Sequence, residues 1–375
     1  MSPPEPRILM TTDAVGGVWT YSTALACGVC NCGYEVTLVT MGPLPRAEQL
    51  SAVKDVEGLR VEVTDLALEW MDPEGDDVPR ARDELLRIAA RIEHDFVHVN
   101  GYREALYGFD APVLVVAHSC VGSWWEACRP GVPMEPKWRP YLDRVGEALG
   151  AADAWVAPTH AYRGWIEKFY APVRDGEVIW NGIAPMQAAA HKRKIVLAAG
   201  RGWDEAKNLS PLARVAPTLP WPVRLAGPVQ NDHGSAIQLH GLEQLGQLPH
   251  AQLLDEMRQA AIFVAPALYE PFGLGVLEAA ANGCALVLAD IPTFRELWHG
   301  AALFADPHND EALAQAIARL CGDDELRNGL QRKAEKRALR YSLKATLDDY
   351  RALYDRLMPR LQPRAAAPFY AEVRE

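Results

Sequence analysis

The chain contains no long hydrophobic run. No apolar stretch reaches the roughly 20 residues of a membrane-spanning helix, and the first residues lack the basic-then-apolar pattern of a signal peptide. Basic residues are fewer than acidic ones, since the chain has 38 Lys and Arg but 49 Asp and Glu, and the net charge is −11. This acidic surplus argues against binding to nucleic acid or, by simple electrostatics, to anionic lipid. We expect a cytoplasmic location, with peripheral membrane contact only through a local basic patch.

Motifs for metals, disulfides and dinucleotides are missing as well. The seven cysteines are an odd number, and Cys27, Cys30 and Cys32 lie along one apolar helix without a second ligand pair, so reduced thiols are expected. There is no Asp-x-Asp metal motif. The early glycine pair is not G-x-G-x-x-G, the fingerprint of nicotinamide dinucleotide sites. We therefore expect no metal and no cofactor, and an oxidoreductase is disfavoured.

Short apolar runs alternate regularly with helical periods along the chain. Seven such runs lie between Arg7 and Trp180, and the alternation restarts after residues 184–194, which have no apolar period and indicate a linker. A run over 237–240 is expected to be a strand of the second part. Alternation of this kind predicts a parallel sheet covered by helices on both faces, with ligands beyond the carboxyl ends of the strands.

The predicted fold is α/β, with two Rossmann-like, doubly wound parallel-sheet domains facing a cleft. We place the first domain at residues 1–184 and the second at 185–341. Residues 342–375 are expected to form a helix and tail.

The stretch from Ala265 to Gly283 joins a buried strand to a helix through a loop. Glu270 lies in the loop, Glu278 lies in the second turn of the helix, and Gly273 leaves the first backbone N–H groups open to an anion. A helix N-terminus with open N–H groups, with one carboxylate before it and one after it, suits a nucleotide sugar, because that ligand has phosphates in its middle and hydroxyls at both ends. The alternative is a buried strand–turn–helix unit with two solvated glutamates, and the residues alone leave both interpretations open.

Two further segments place glycines or cations at strand ends. Gly16 and Gly17 stand between the first strand and a helix, which suits either a backbone close to a phosphate or an ordinary tight turn. Arg201 and Lys207 follow the first strand of the second domain. Fixed cations stabilise the charge that develops on a departing diphosphate; the alternative is two surface cations beside acidic neighbours.

The segment Glu270-Pro-Phe-Gly-Leu-Gly-Val-Leu-Glu278 resembles the Glu-x7-Glu signature of glycosyltransferase family 4, retaining enzymes of the GT-B fold. The resemblance covers nearly the whole chain and is strongest from Lys194 to Leu297. It implies transfer of a hexosyl group from a nucleotide-diphosphate sugar to a hydroxyl of a glycan, lipid-linked sugar or small molecule, as in polysaccharide biosynthesis. A GT-B sugar-nucleotide epimerase and a non-catalytic GT-B binding protein are the alternatives.

The resemblance also implies roles for individual residues. The implied catalytic residues are His118, Arg201, Lys207 and Glu270. The implied donor-binding residues are Gly16, Gly17, Arg201, Lys207, Leu248, Glu270, Phe272, Gly273, Leu274 and Glu278. His118 ends a buried strand, where a cleft would open, but Ser119 follows it where many relatives have aspartate, so a carboxylate-assisted role is in question.

Three tryptophans, Trp19, Trp124 and Trp125, are candidates for stacking on an acceptor sugar. Packing inside the protein explains Trp124 and Trp125 equally well, and Leu248 suits an ordinary core position as well as a base pocket. The family further implies that a terminal helix crosses back to the first domain and that domain closure brings Gly17 and His118 to the donor. No protein nucleophile is expected, and the donor base, the acceptor and the oligomeric state are left open.

Overall fold

A computed structural model describes residues 5–189, 191–230 and 237–358. Within these residues, no helix has both the length and the apolar character needed to cross a membrane. The same residues contain no group of three or more His, Cys, Asp or Glu arranged to hold a metal ion. Each of the seven cysteines is a free thiol.

A first sheet is built from the apolar runs of the N-terminal half. Its seven strands are β1 (Arg7–Asp13), β2 (Glu35–Met41), β3 (Leu59–Val63), β4 (Phe96–Val99), β5 (Val113–Val116), β6 (Ala154–Ala157) and β7 (Glu177–Val178). They run parallel in the order β3-β2-β1-β4-β5-β6-β7. Strand order reverses between β1 and β4, so a ligand crevice opens at their carboxyl ends.

Helices cover both faces of this sheet. They are α1 (Gly17–Cys30), α2 (Ala47–Ser51), α3 (Val78–Ile92), α4 (Val121–Cys128), α5 (Arg139–Ala151) and α6 (His160–Tyr170). Because side chains alternate along a strand, Leu9 packs into the core on one face while Ile8 and Met10 pack into the core on the other. Burial on both faces explains why these strands read as continuous apolar runs.

The second sheet repeats the same plan. Its six parallel strands are β8 (Arg193–Ala199), β9 (Val223–Ala226), β10 (Glu243–Gly246), β11 (Ala260–Ala265), β12 (Ala285–Ala289) and β13 (Ala302–Ala305), in the order β10-β9-β8-β11-β12-β13. Its helices are α7 (Leu209–Val215), α8 (His250–Gln259), α9 (Leu274–Ala281), α10 (Pro292–Trp298), α11 (Asp310–Gly322) and α12 (Asp324–Ala338). The predicted fold class, two Rossmann-like α/β domains, is confirmed.

The predicted strand over 237–240 is wrong. Those residues lie outside any strand, and the edge strand of this sheet is β10, a few residues further along the chain. Among the described residues, strand β10 pairs with β9 alone, and most of the β10 residues are exposed, so the strand has no apolar run that could reveal it. Leu239, by contrast, is buried without belonging to a strand, which explains the misleading apolar signal.

A last helix, α13 (Leu343–Leu357), returns to the first domain. Tyr350, Leu353 and Tyr354 are buried in the same core cluster as residues of β1 and β5. Gly28 of α1 leaves room for Leu347, since a side chain at that glycine would overlap the leucine. Helix α13 therefore ties the end of the described chain to its beginning.

Candidate functional site

The glycine loop after β1 faces the second domain. A Cβ atom placed on Gly16 would lie 3.6 Å from Arg201 Nη1, and one placed on Gly17 would lie 3.7 Å from Leu274 Cδ1. Both glycines are exposed, and Gly17 is the first residue of α1. The structure thus brings four predicted site residues from opposite halves of the chain to one cleft.

Lys207 and Glu270 form an ion pair at this cleft. Lys207 Nζ donates to Glu270 Oε2 at 2.7 Å, and their side chains keep only 25% and 18% of their surface exposed. Lys207 ends a short 3-10 turn, and its aliphatic stem passes Gly200, where an added Cβ would be 3.4 Å away. Lys207 and Glu270, which are both predicted to bind the same ligand, are therefore in direct contact although they lie 63 residues apart in the chain.

The guanidinium of Arg201 donates a side-chain hydrogen bond to Asp204 and has one buried N–H without a partner among the described residues. Its Nη2 donates to Asp204 Oδ2 at 2.8 Å, while its Nε is buried and has no hydrogen-bond partner among the described residues. A buried donor without an acceptor is costly, so an anionic oxygen bound here would be favoured. Burial of Asp204 opposes its ionisation, but Arg201 and Lys207 together hold its pKa below the usual range.

Glu270 and Glu278 lie on either side of the start of α9. Gly273 caps this helix with φ of +89°, a left-handed conformation that favours glycine, and an added Cβ would lie 3.3 Å from Glu270 Cγ. Glu278 is buried, and its Oε1 accepts a hydrogen bond from His250 Nε2 at 2.7 Å. This bond raises the pKa of His250, and burial of the imidazole partly opposes the rise.

His118 lies at the end of β5, in the first domain. Its Nε2 is 2.7 Å from Asn100 Oδ1, and the ring of Tyr21 packs edge-on against it with centroids 4.6 Å apart. Burial lowers the pKa of His118 to about 3, so its imidazole is neutral at physiological pH. Part of its surface stays exposed.

The remaining predicted residues lie deeper in the protein. Phe272 is buried, so it offers a ligand mainly its backbone. Leu248 packs against a hydrophobic core of the second domain. Trp19 and Trp125 are only 8% and 7% exposed, and Trp125 Nε1 donates to a backbone carbonyl. These two rings present little surface to an acceptor sugar.

Trp124 lies at a contact between the two domains. Its Nε1 is 3.4 Å from Asp204 Oδ1, and Arg129 lies over its ring while also pairing with Glu205 at 3.0 Å. Packing at this contact is the role that the structure shows for Trp124, and stacking on an acceptor remains a prediction.

Further hydrogen bonds join the two domains. Glu296 of α10 accepts from the backbone N–H groups of His160 and Ala161, at 3.0 and 2.7 Å, and so caps α6 of the first domain. Ser123 Oγ and Tyr269 Oη are 2.8 Å apart. The two domains are therefore in direct contact at both of these places.

Comparison with known proteins gives the chain a family. The model for group 1 glycosyl transferases matches residues 184–337, and the model for Glycosyltransferase Family 4 matches residues 15–186. The chain belongs to glycosyltransferase family 4. The two matches adjoin between the two sheets, which are the two domains of the GT-B fold.

Relatives and solved structures agree with this family. The phosphatidyl-myo-inositol mannosyltransferase of Mycolicibacterium smegmatis is 38% identical over 103 residues, which is 27% of each chain. An N-acetylgalactosaminyltransferase of Campylobacter jejuni that acts on N,N'-diacetylbacillosaminyl-diphospho-undecaprenol is 33% identical over 110 residues, 29% of each chain. The matches thus span less than a third of these curated relatives.

The solved structures match over nearly their full length. Sucrose-phosphate synthase of Thermosynechococcus elongatus has a TM-score of 0.75 and 18% identity, over 94% of this chain and 99% of that one. Anabaena HepE in complex with UDP and glucose has a TM-score of 0.73 and 15% identity, over 94% and 100%. At these identities the likeness establishes the fold alone.

Four polar residues of this family 4 chain were not predicted from the sequence as site residues: Asp13, Asn100, His250 and Glu296. Asp13 and Asn100 end or follow strands of the first sheet, and His250 begins a helix, so their position at element ends was the available signal. Burial raises the pKa of Asp13, and the positive charge of Arg201 partly offsets this rise. Glu296 gave no signal, because its partners lie more than 130 residues away.

Proposed function

We propose that the chain is a retaining, metal-independent hexosyltransferase that moves a sugar from a nucleotide-diphosphate donor to an acceptor hydroxyl. One observation carries the proposal. Two cations, Arg201 and Lys207, lie with Glu270 beyond the carboxyl end of β8, and the glycine loop of the first domain faces them. Membership of family 4 supports the same reaction.

The two cations suit the diphosphate of the donor. When the bond between the sugar and the phosphate breaks, negative charge develops on the departing phosphate oxygen. Lys207 supplies a compact charge, and Arg201 has an unsatisfied Nε donor that a phosphate oxygen would take up. Fixed positive groups in a closed cleft stabilise that charge without a metal ion.

The two carboxylates suit the two ends of the donor. Glu278 would accept hydrogen bonds from the ribose hydroxyls, while Glu270 and the backbone around Gly273 would hold hydroxyls of the transferred sugar. Glu270 contacts Lys207 and lies close to Gly273 at the start of α9, which supports a position between the proposed phosphate and sugar sites.

The proposed reaction retains the configuration of the sugar by attack on the same face. The acceptor oxygen bonds to the anomeric carbon as the bond to the phosphate breaks, and the leaving phosphate oxygen takes the acceptor's proton. No side chain then needs to act as a nucleophile.

The acceptor is proposed to be a glycan, a lipid-linked sugar or a small hydroxyl compound. The names of the two curated relatives, one acting on a phosphatidyl-inositol and one on a diphospho-undecaprenol, support a lipid-linked class. Seven free thiols fit a reducing, cytoplasmic compartment.

Release of nucleoside diphosphate tests the proposal. UDP-glucose, GDP-mannose and ADP-glucose are each incubated with the protein, with and without candidate acceptors. We expect one donor to be consumed with release of its diphosphate, faster with acceptor, and a product whose anomeric configuration matches the donor by NMR. Consumption that is independent of acceptor and forms a free sugar epimer would favour an epimerase, and no consumption of any donor would contradict the proposal.

The same assay tests metal independence. Activity should survive an excess of EDTA. Loss of activity that added Mg²⁺ restores would overturn the metal-free part of the proposal.

A further inference from the structure

Asn100 and His118 each lie just beyond the carboxyl end of one of two neighbouring strands. Asn100 follows β4 and His118 follows β5, and the two strands pair in parallel, so both side chains lie at the edge of the sheet that borders the cleft. Asn100 has no role in the reaction proposed above. Its hydrogen bonds nevertheless determine the state of His118.

The amide of Asn100 can have only one orientation. Its Nδ2 lies 2.7 Å from the carbonyl oxygen of Thr11, and a carbonyl can only accept a hydrogen bond. A second Nδ2 contact reaches Ser22 Oγ at 3.2 Å, and the Asn100 backbone N–H donates to Thr11 Oγ1 at 3.0 Å. The other amide atom, Oδ1, is therefore an acceptor without a proton.

This orientation assigns the proton on His118. Its Nε2 is 2.7 Å from Asn100 Oδ1, so Nε2 must carry the hydrogen that this contact requires. A neutral imidazole has one N–H, which leaves Nδ1 with a lone pair. Nδ1 has no hydrogen-bond partner among the described residues and is not one of their buried unpaired atoms.

A second histidine obeys the same constraint. His98 Nε2 is 3.4 Å from Asn100 Oδ1, and His98 Nδ1 is 2.7 Å from Tyr354 Oη, on α13. If Nε2 donates to Oδ1, Nδ1 accepts from the tyrosine hydroxyl. Among the described residues, the arrangement that gives each of these donors an acceptor has the Nε2 protons of His98 and His118 directed at Asn100 Oδ1 and the Tyr354 hydroxyl proton directed at His98 Nδ1.

We propose that Asn100 is a positioning residue for sugar transfer, because it holds His118 as the neutral Nε2–H tautomer and leaves Nδ1 to accept a hydrogen bond from a hydroxyl in the cleft. The inference rests on the proposed function. In this form His118 orients a hydroxyl of the donor sugar or of the acceptor and cannot serve as a general acid. The cations of the second domain would carry the charge of the leaving group.

The tautomer can be measured without any substrate. Nitrogen-15 NMR of histidine-labelled protein distinguishes a protonated ring nitrogen from an unprotonated one, and the His118 signals among the ten histidines are identified by their loss in His118→Gln. We expect protonated Nε2 and unprotonated Nδ1 in the wild type. A wild-type ring protonated at Nδ1 would overturn the proposal even if neither Asn100 variant folds.

Two variants test the cause, and a third is the control. Asn100→Ala should populate the Nδ1–H tautomer, and Asn100→Asp should raise the pKa of His118, because a carboxylate stabilises the imidazolium. Tyr354→Phe removes the hydroxyl that contacts His98 Nδ1 but keeps the contact between Asn100 and His118. The His118 tautomer should therefore be unchanged in this variant. An unchanged His118 spectrum in both folded Asn100 variants would contradict the proposal.

Turnover is the second readout. With the donor that the wild type consumes, Asn100→Ala should lower kcat roughly tenfold, the order expected when one hydrogen bond that orients a reacting hydroxyl is lost, with little change in donor KM. Unchanged kcat would remove Asn100 from the reaction. If the wild type turns over no donor, the proposed function fails, and the proposed reaction role of Asn100 fails with it. The spectrum then decides only whether Asn100 sets the tautomer.

Discussion

The two walls of the cleft differ in their chemistry. The wall from the second domain carries charges in pairs, with Lys207 bonded to Glu270 and Arg201 bonded to Asp204. The wall from the first domain carries a line of uncharged groups, in which Asn100 accepts from His118. One wall presents fixed charges, and the other presents oriented dipoles and lone pairs.

This difference corresponds to the two parts of the proposed ligand. A diphosphate is anionic and gains charge as it leaves, so it requires cations that are already in place. A sugar or acceptor hydroxyl is uncharged, so it requires acceptors and donors with fixed directions. Burial of His118 lowers its pKa to about 3 and keeps its imidazole neutral, while the opposite wall contains the ion pair of Lys207 and Glu270.

The largest effect is expected at the charged wall. Lys207→Ala should lower turnover by about a hundredfold or more, because one fixed charge on the leaving phosphate is lost. Turnover is measured by diphosphate release, and circular dichroism checks the fold. Lys344→Ala, which removes an exposed ion pair with Asp348 on α13, is the matched control and should be near wild type. Near-normal turnover of Lys207→Ala would contradict the proposal that the charged wall of the cleft stabilises the leaving phosphate.

A second prediction concerns the base-side carboxylate. Glu278→Gln should weaken nucleoside diphosphate binding by about tenfold to a hundredfold, since a hydrogen bond to a charged group contributes about 1.5–3 kcal/mol. Calorimetric titration with UDP, GDP and ADP measures the loss and also identifies the base. Glu243→Gln, on the exposed edge strand β10, is the control. Equal affinity in Glu278→Gln and wild type would exclude Glu278 from the nucleotide site.

A third prediction concerns the contact between α10 and α6 that joins the two domains. Glu296→Ala leaves two backbone N–H groups at the start of α6 without their acceptor, which should cost about 1 kcal/mol. Thermal unfolding should show a Tm lower by about 2–4 °C. Glu147→Ala, an exposed substitution on α5, should leave Tm unchanged, and an unchanged Tm in Glu296→Ala would show that this cap adds no stability.

The smallest effect is expected from the pH dependence of the His250–Glu278 pair. The pKa of His250 is raised in the folded protein, so the pair contributes its full stability below the ordinary histidine value and loses it as the pH rises through the raised pKa. His250 is half exposed, so the contribution should stay below about 1 kcal/mol. Unfolding titrations of wild type and His250→Ala should differ most at acid pH and converge at alkaline pH. A constant difference would contradict the assignment.

Periodicity and local spacing were sufficient for the architecture and for the central motif. Apolar runs buried on both faces predict parallel strands wherever they lie in the sheet interior, and the confirmed fold followed from them. The positions of Glu270 before the helix and of Glu278 in its second turn were also predicted, because nine consecutive residues contain the whole signal. The exposed edge strand β10 was missed because it has no such run.

By itself, then, the sequence determined which buried segments form the sheets and the helices that cover them, since backbone periodicity and burial act over short distances. Only the tertiary structure decided the partners: Lys207 with Glu270, His250 with Glu278, and His118 with Asn100. Each partnership joins residues from separate elements. Its geometry depends on how those elements pack against one another, and a local pattern carries no information about that packing.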